Sequence, residues 1–131
     1  MKKGQVSIDL LLALFVAIIF FGMLVAYADS FSENARQVEE QSKMKAVLMD
    51  VYSSMGAVKA HNESGFSIAY NAPTYAECTI EINPVANGSI KVTSTKDPAI
   101  KAEYTGLDLT GIGVSSPINC GDTGKVISKE I

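Results

Sequence analysis

The chain has 131 residues, 47% of them hydrophobic, and a formal net charge of −3 at pH 7. This length allows one small domain in addition to the N-terminal segment. Because no basic block occurs, we expect no nucleic-acid partner. One histidine, His61, and two widely spaced cysteines argue against a His/Cys metal site. No phosphate loop, clustered acid pair or nucleophile–histidine motif is present, so we expect neither a catalytic site nor a cofactor.

The first feature in chain order is an uncharged, almost wholly apolar run over residues 10–28. Nineteen helical residues extend roughly 28 Å, close to the ~30 Å hydrocarbon core of a bilayer. Lys2 and Lys3 precede the run and Asp29 follows it. Cations on the near side predict a cytoplasmic N-terminus and export of the rest of the chain.

The same run also fits an ordinary secretory signal. Ala26-Tyr27-Ala28 is a small-x-small pattern that would release a protein beginning at Asp29. Two features favour a retained helix instead. The run exceeds the ~7–15 residues of a typical signal core, and Asp9 places a carboxylate where such a core begins, which makes insertion costlier.

The residues before the run carry a family resemblance. Lys2-Lys3-Gly4-Gln5-Val6-Ser7-Ile8-Asp9, followed by the apolar helix, resembles the class III signal peptide of archaeal type IV pilins, whose members carry a Gln-x-Ser-x-Glu pattern after a basic, Gly-ended leader. The resemblance covers about the first thirty residues. It implies cleavage by a prepilin peptidase between Gly4 and Gln5, and it places Asp9 where the family usually has Glu. Gln5 does not fit the methylated Phe of bacterial type IV pilins, and the Gly-Ile-Gly-Thr-like start of archaellins is absent.

Cleavage at that point would give Asp9 a part in assembly. It would create a free α-amino group at Gln5, and an unpaired charge among apolar helices is very costly. The Asp9 carboxylate, one helical turn along, could neutralise this amine or that of a neighbouring subunit. The alternatives are that Asp9 only faces the positive end of the helix dipole, worth roughly 0.3–1 kcal/mol, or that Gln5 cyclises and loses its amine.

A helical pattern continues to about Ala60. A first apolar series comprises Phe31, Ala35 and Val38, and a second, at steps of 4, 3, 4 and 3, comprises Met44, Leu48, Val51, Met55 and Val58. The second series is a heptad-like stripe that needs a partner on one side. We predict one long helix over residues 7–60 whose stripe packs on the C-terminal domain; a coiled coil with another protein is the alternative.

Beyond residue 65 the sequence alternates as strands do. Predicted strands cover residues 66–70, 78–82, 89–93, 100–104 and 125–128, and residues 106–124 are predicted to be mostly loop. Asn87-Gly88 favours a hairpin between the second and third strands. The predicted fold class is therefore α+β: a long N-terminal helix packed on a small antiparallel β-sheet head, lollipop-shaped and pilin-like.

The head carries two kinds of candidate modification. Cys78 and Cys120 are expected to form one disulfide in an exported protein, closing a 43-residue loop worth roughly 4 kcal/mol in the chain-entropy model; two buried free thiols are the alternative. Asn62-Glu63-Ser64 and Asn87-Gly88-Ser89 are sequons, so Asn62 and Asn87 are N-glycosylation candidates. Alternatively, Asn62 only ends the helix and Asn87 only belongs to a turn.

These elements predict four segments: a cleaved leader (1–4), an apolar transmembrane or filament-core helix (5–28), an amphipathic helix (29–61) and a β-rich head (62–131). The resemblance implies a structural subunit of an extracellular pilus-like filament used for surface adhesion. Its partners would be further copies of itself, the prepilin peptidase and assembly machinery, the membrane for a single-pass precursor, and surfaces or cells contacted by the head. The alternatives are a secreted or membrane-tethered β-rich binding domain released after Ala28, and a minor or tip pilin. An enzyme is not expected.

Overall fold

The computed structural model describes residues 2–61 and 63–130, with the backbone alone for residues 2–6. The described chain contains one helix and seven strands: α1 (Lys2–Ala60), β1 (Ser67–Tyr70), β2 (Cys78–Asn83), β3 (Gly88–Ser94), β4 (Lys101–Leu107), β5 (Ile112–Val114), β6 (Ile118–Asn119) and β7 (Lys125–Lys129). The predicted α+β fold class, with a long N-terminal helix and a small antiparallel head, is confirmed.

The chain forms two compact units, which meet in sequence between Arg36 and Gln37. The described part of the first unit is helical throughout. The second unit contains the rest of α1 and all seven strands. The strands and the part of the helix that packs on them therefore belong to one compact body.

All strand pairs are antiparallel, but the strands divide between two sheets, with the orders β1-β7-β5 and β4-β3-β2-β6. The predicted hairpin joins β2 and β3, in register from Cys78 opposite Ser94 to Asn83 opposite Ser89. The stretch 106–124, predicted to be mostly loop, also contains β5 and β6. These strands have three and two residues, too few for a period-2 pattern to be recognised.

The core lies between the second half of α1 and the inner faces of the sheets. All five residues of the predicted stripe are buried, and none is more than 3% exposed. Opposite them lie branched and aromatic side chains from both sheets: Tyr70, Ile80, Ile82, Ile90, Val92, Ile118 and Ile127. The stripe therefore packs on this chain's own strands, as the helical periodicity predicts.

Two polar contacts attach α1 to the strands. The hydroxyl of Tyr70, at the end of β1, donates a hydrogen bond of 3.0 Å to Asp50 Oδ2. Lys59 Nζ donates to both the main-chain oxygen (2.6 Å) and Oδ2 (2.9 Å) of Asp108, the residue that follows β4. Burial of Tyr70, followed by its hydrogen bond to Asp50, raises the pKa of the phenol. Because β1 and β4 belong to different sheets, the two contacts hold α1 to both.

Gly88 begins β3 at a point where the hairpin backbone folds closely on itself. A Cβ atom there would overlap the carbonyl oxygen of Asn83 and lie 2.9 Å from that of Val85. The Gly88 amide donates a 3.0 Å hydrogen bond to the Val85 oxygen. Both obstructing atoms are main-chain atoms of the turn, so a side chain at this position must displace the backbone.

We predict that Gly88→Ala lowers the free energy of unfolding of the detergent-solubilised full chain by about 1–3 kcal/mol, the usual cost of overpacking. Urea unfolding followed by circular dichroism measures the change. Gly56→Ala is the matched control: a Cβ at Gly56 meets no atom within 4 Å, and alanine favours a helix by up to about 1 kcal/mol. Equal stability of Gly88→Ala and the unsubstituted protein would contradict the steric account.

Candidate functional site

The apolar part of α1 is exposed in the part of the chain that the structure describes. Within the described residues, one helix is long and apolar enough to cross a membrane, and its most apolar 18-residue window has a mean hydropathy of 2.8 with no share of it buried. The large apolar side chains from Ile8 to Val25 are between 44% and 68% exposed. A helix that is apolar on every side requires lipid or other apolar helices around it.

Asp9 is exposed on this helix, and no described side chain forms an ion pair with it. The helical backbone continues through Lys2, Lys3, Gly4 and Gln5, whose side chains lie outside the described part. The proposed cleavage point is therefore a sequence-based prediction, and so is the pairing of Asp9 with an N-terminal amine.

Cys78 and Cys120 form a disulfide, with their Cα atoms 5.0 Å apart. The Cys120 amide also donates a 2.8 Å hydrogen bond to the Cys78 carbonyl. Strand β6 ends one residue before Cys120 and pairs with β2 through two residue pairs, Thr79 with Asn119 and Ile80 with Ile118. The disulfide thus links β6, the shortest strand of the described fold, covalently to its neighbour β2.

One of the two predicted glycosylation candidates lies within the described residues. Asn62 lies outside the described residues. Asn87 is exposed in the turn before β3, where a glycan would extend away from the core. Since Asn87-Gly88 also forms the turn, its position agrees with either role, and glycosylation stays a prediction.

Sequence reasoning missed two cavities between α1 and β4, an edge strand of its sheet; together they are called the groove. The helical wall comprises Lys45, Leu48, Met49, Tyr52, Met55, Gly56 and Lys59. The other wall is β4 with the two residues after it, Asp108 and Leu109. Tyr52 and Tyr104 meet edge to face across the groove, with ring centroids 5.5 Å apart.

The groove lies at the edge of the hydrophobic core, where apolar side chains are exposed to solvent. Met49, Tyr52 and Tyr104 are 60%, 48% and 36% exposed. Tyr104 pairs across strands with Ile90, which is fully buried, so both side chains point to the same face of the sheet. Tyr104 lies on β4, an edge strand, and therefore at the margin of that face.

The charges at the two ends of the groove differ. At one end Lys59 pairs with Asp108, and hydrogen bonds from the Thr110 hydroxyl, Lys59 and the Thr110 amide lower the pKa of Asp108 to about 2. At the other end stand Lys45, Lys101 and Glu103. No carboxylate in the described part of the chain pairs with either of these lysines.

His61 stands at the end of α1, where its ring stacks on Phe66 with centroids 3.8 Å apart. Its main-chain oxygen accepts a hydrogen bond from Lys129 Nζ. Across residues 2–61 and 63–130, no group of three or more His, Cys, Asp or Glu side chains is placed to hold a metal ion.

Comparisons with protein-family models, curated proteins and solved structures found no match to this chain. The candidate functional features are therefore those of the chain itself: the uncovered apolar helix, the disulfide-closed head and the groove beside β4.

We predict that replacing both cysteines, by Cys78→Ala with Cys120→Ala, lowers the free energy of unfolding by roughly 4 kcal/mol in the chain-entropy model. Thermal unfolding of the full chain in detergent measures the loss. The unsubstituted protein treated with a reductant is the control and should fall by a similar amount. If the double variant unfolds at the temperature of the oxidised protein, the bridge does not stabilise the head.

Proposed function

We propose that the chain is a structural subunit of an extracellular type IV pilus-like filament. The observation that carries the proposal is the pairing, in one chain, of an entirely uncovered apolar helix with a compact, disulfide-closed β unit. The basic, Gly-ended leader resembling that of archaeal pilins supports the same proposal.

The apolar helix requires a different environment at each stage of such a life cycle. In a single-pass precursor, lipid covers residues 10–28 on every side. Outside the membrane, an apolar surface of that extent needs another apolar partner, and further copies of the same helix supply one. Copies that join through head-to-tail contacts build an open helical filament when the contacts do not close into a ring. The β-rich heads then form the outer surface and mediate adhesion.

Asp9 is the only charged residue between positions 7 and 28. Within a bundle of apolar helices its carboxylate must be neutralised, because an unpaired buried charge is strongly destabilising. The amine created by cleavage before Gln5, on the same or a neighbouring copy, is the proposed partner. Cleavage by a prepilin peptidase then creates the amine with which Asp9 pairs during assembly.

This proposal predicts that Asp9→Ala leaves the chain processed and membrane-bound but reduces filament yield by at least about tenfold, since loss of one buried partner commonly costs several kcal/mol. Filaments sheared from producing cells are counted by negative-stain electron microscopy and detected with an antibody against the head. Asp9→Glu, which restores the residue usual in the resembling family, is the matched control and should assemble.

Normal filaments from Asp9→Ala would refute the charge pairing. If the unsubstituted protein forms no filaments and is found free in the medium, the proposal fails as a whole. That result would favour the secreted β-rich binding domain, for which Ala26-Tyr27-Ala28 supplies a cleavage signal.

A further inference from the structure

The outer edge of β4 presents main-chain hydrogen-bonding groups that no described strand uses. β4 has seven residues and pairs with β3 alone, because it ends the sheet order β4-β3-β2-β6. The Ser94 amide donates a 3.0 Å hydrogen bond to the Ile100 carbonyl, and bonded residue pairs alternate along an antiparallel ladder. The main-chain groups of Lys101 and Glu103 therefore point away from β3, toward the open edge.

Lys101 and Glu103 also carry charges that the described chain leaves without an ion pair. Both side chains are exposed on the outer face of the sheet, the face opposite that of Tyr104. Lys91, the cross-strand neighbour of Glu103, forms its ion pair with Glu81 at 3.6 Å. Lys101 and Glu103 form no ion pair with a described residue. The open edge thus presents a cation and an anion two positions apart.

An antiparallel second copy of β4 matches this edge in both hydrogen bonds and charge. With a two-fold axis at Ala102, Lys101 of each copy lies opposite Glu103 of the other, and these residues are the ones whose main-chain groups point outward. An axis at position 101 or 103 would instead place Lys101 or Glu103 opposite itself, and like charges directly opposite are destabilising. Charges on an edge strand usually prevent pairing, but this alternation of sign makes the edge complementary to itself.

We infer that β4 of one copy pairs with β4 of a second copy, antiparallel and centred on Ala102, so that two four-stranded sheets join edge to edge. On the outer face, Glu81, Lys91 and Glu103 lie side by side on β2, β3 and β4. Lys101 of the second copy would follow Glu103 in this row, which then continues to alternate in sign.

The same pairing would place apolar residues together on the inner face. Tyr104 is 36% exposed at the margin of the core, and in this register it lies opposite Ile100 of the second copy. Ile100 is partly buried and packs against the core of its own chain. An aromatic and a β-branched side chain are a favourable cross-strand pair. The edge therefore combines main-chain hydrogen bonds, two ion pairs and two apolar contacts in one register.

The symmetry of this contact determines its part in an assembly. Both copies use the same edge, so the contact is isologous and closes at two chains, unlike the head-to-tail contacts of the proposed filament. The inference rests on the proposed function and names a partner for the head, which is the head of a copy in a neighbouring filament. One strand pair is a small interface of the weak, transient kind, and many heads along two filaments would strengthen it through avidity.

The first test traps the register with a disulfide between copies. Ala102→Cys places two cysteines opposite each other at the axis, where Cα atoms of a non-bonded pair are about 4.5 Å apart, within reach of a disulfide. Thr105→Cys on the same strand is the matched control, since its two copies would lie six residues, or roughly 20 Å, apart. Thr105 is exposed and Ala102 is only 8% exposed, so accessibility alone would favour the control.

Filaments carrying each substitution are sheared separately from isotopically light and heavy cells, mixed and mildly oxidised. Peptide mapping by mass spectrometry identifies the links and checks that the Cys78–Cys120 bridge is intact. We expect the mixed-isotope link at position 102 to exceed that at position 105 by at least about tenfold, because only the former satisfies disulfide geometry. Equal yields, no link, or links confined to a single isotope would overturn the inference.

The second test exchanges charges in chains that also carry Ala102→Cys. Lys101→Glu alone, or Glu103→Lys alone, places like charges opposite each other twice and should lower the link at position 102 by at least about fivefold. A mixture of these two variants pairs opposite charges again and should restore the link between them. Unfolding midpoints equal to that of Ala102→Cys confirm that both variants are folded. A loss that mixing does not reverse, or no loss at all, would contradict the register.

The outcomes also separate this contact from the function on which it rests. Filaments that form but give no link at position 102 would refute the contact and leave the filament proposal standing. If no filaments form, the same oxidation is applied to the detergent-solubilised full chain carrying Ala102→Cys or Thr105→Cys. A link at position 102 in excess of the control would then establish the pairing of β4 and refute the filament proposal.

Discussion

The constraint on which the account depends is that residues 10–28 form an apolar helical surface that the described part of the chain leaves uncovered. Each large side chain between Ile8 and Val25 remains exposed, and the hydrophobic effect disfavours such a surface in water. Lipid can cover the helix in a membrane, and other helices can cover it in an assembly. A function that leaves this helix attached must therefore provide one of these two environments.

The second half of α1 has the opposite character. Its Met44–Val58 stripe is covered by strands of the same chain, and the contacts from Asp50 and Lys59 reach both sheets. One helix thus contains a part that lacks any cover and a part that is integral to a compact core. The Cys78–Cys120 bridge reinforces that core, which is small and would be marginal on hydrophobic burial alone. The two halves are suited to different tasks, association and presentation of a head.

The features of the fold that could be predicted from the sequence are those determined by residues close together in the chain. The burial of Met44, Leu48, Val51, Met55 and Val58 follows from helical periodicity, and β2 and β3 follow from alternation on either side of an Asn-Gly turn. The separation into two sheets could not be predicted, because it depends on which strands pair over long distances in the sequence. The groove was missed for a related reason: the exposure of Tyr104 depends on how far the sheet extends beyond the helix that covers it. On the proposed function, the partner of Asp9 is an N-terminal amine in the assembly, which does not follow from periodicity within one chain.

The central claim is that the apolar helix is retained in the mature protein. Intact mass measurement combined with N-terminal peptide mapping of the mature chain tests it most directly. The account predicts a mature chain that begins at Gln5, with its amine free or cyclised, and still contains residues 10–28. A mature chain that begins at Asp29 would contradict the account, because the helix on which assembly depends would have been removed.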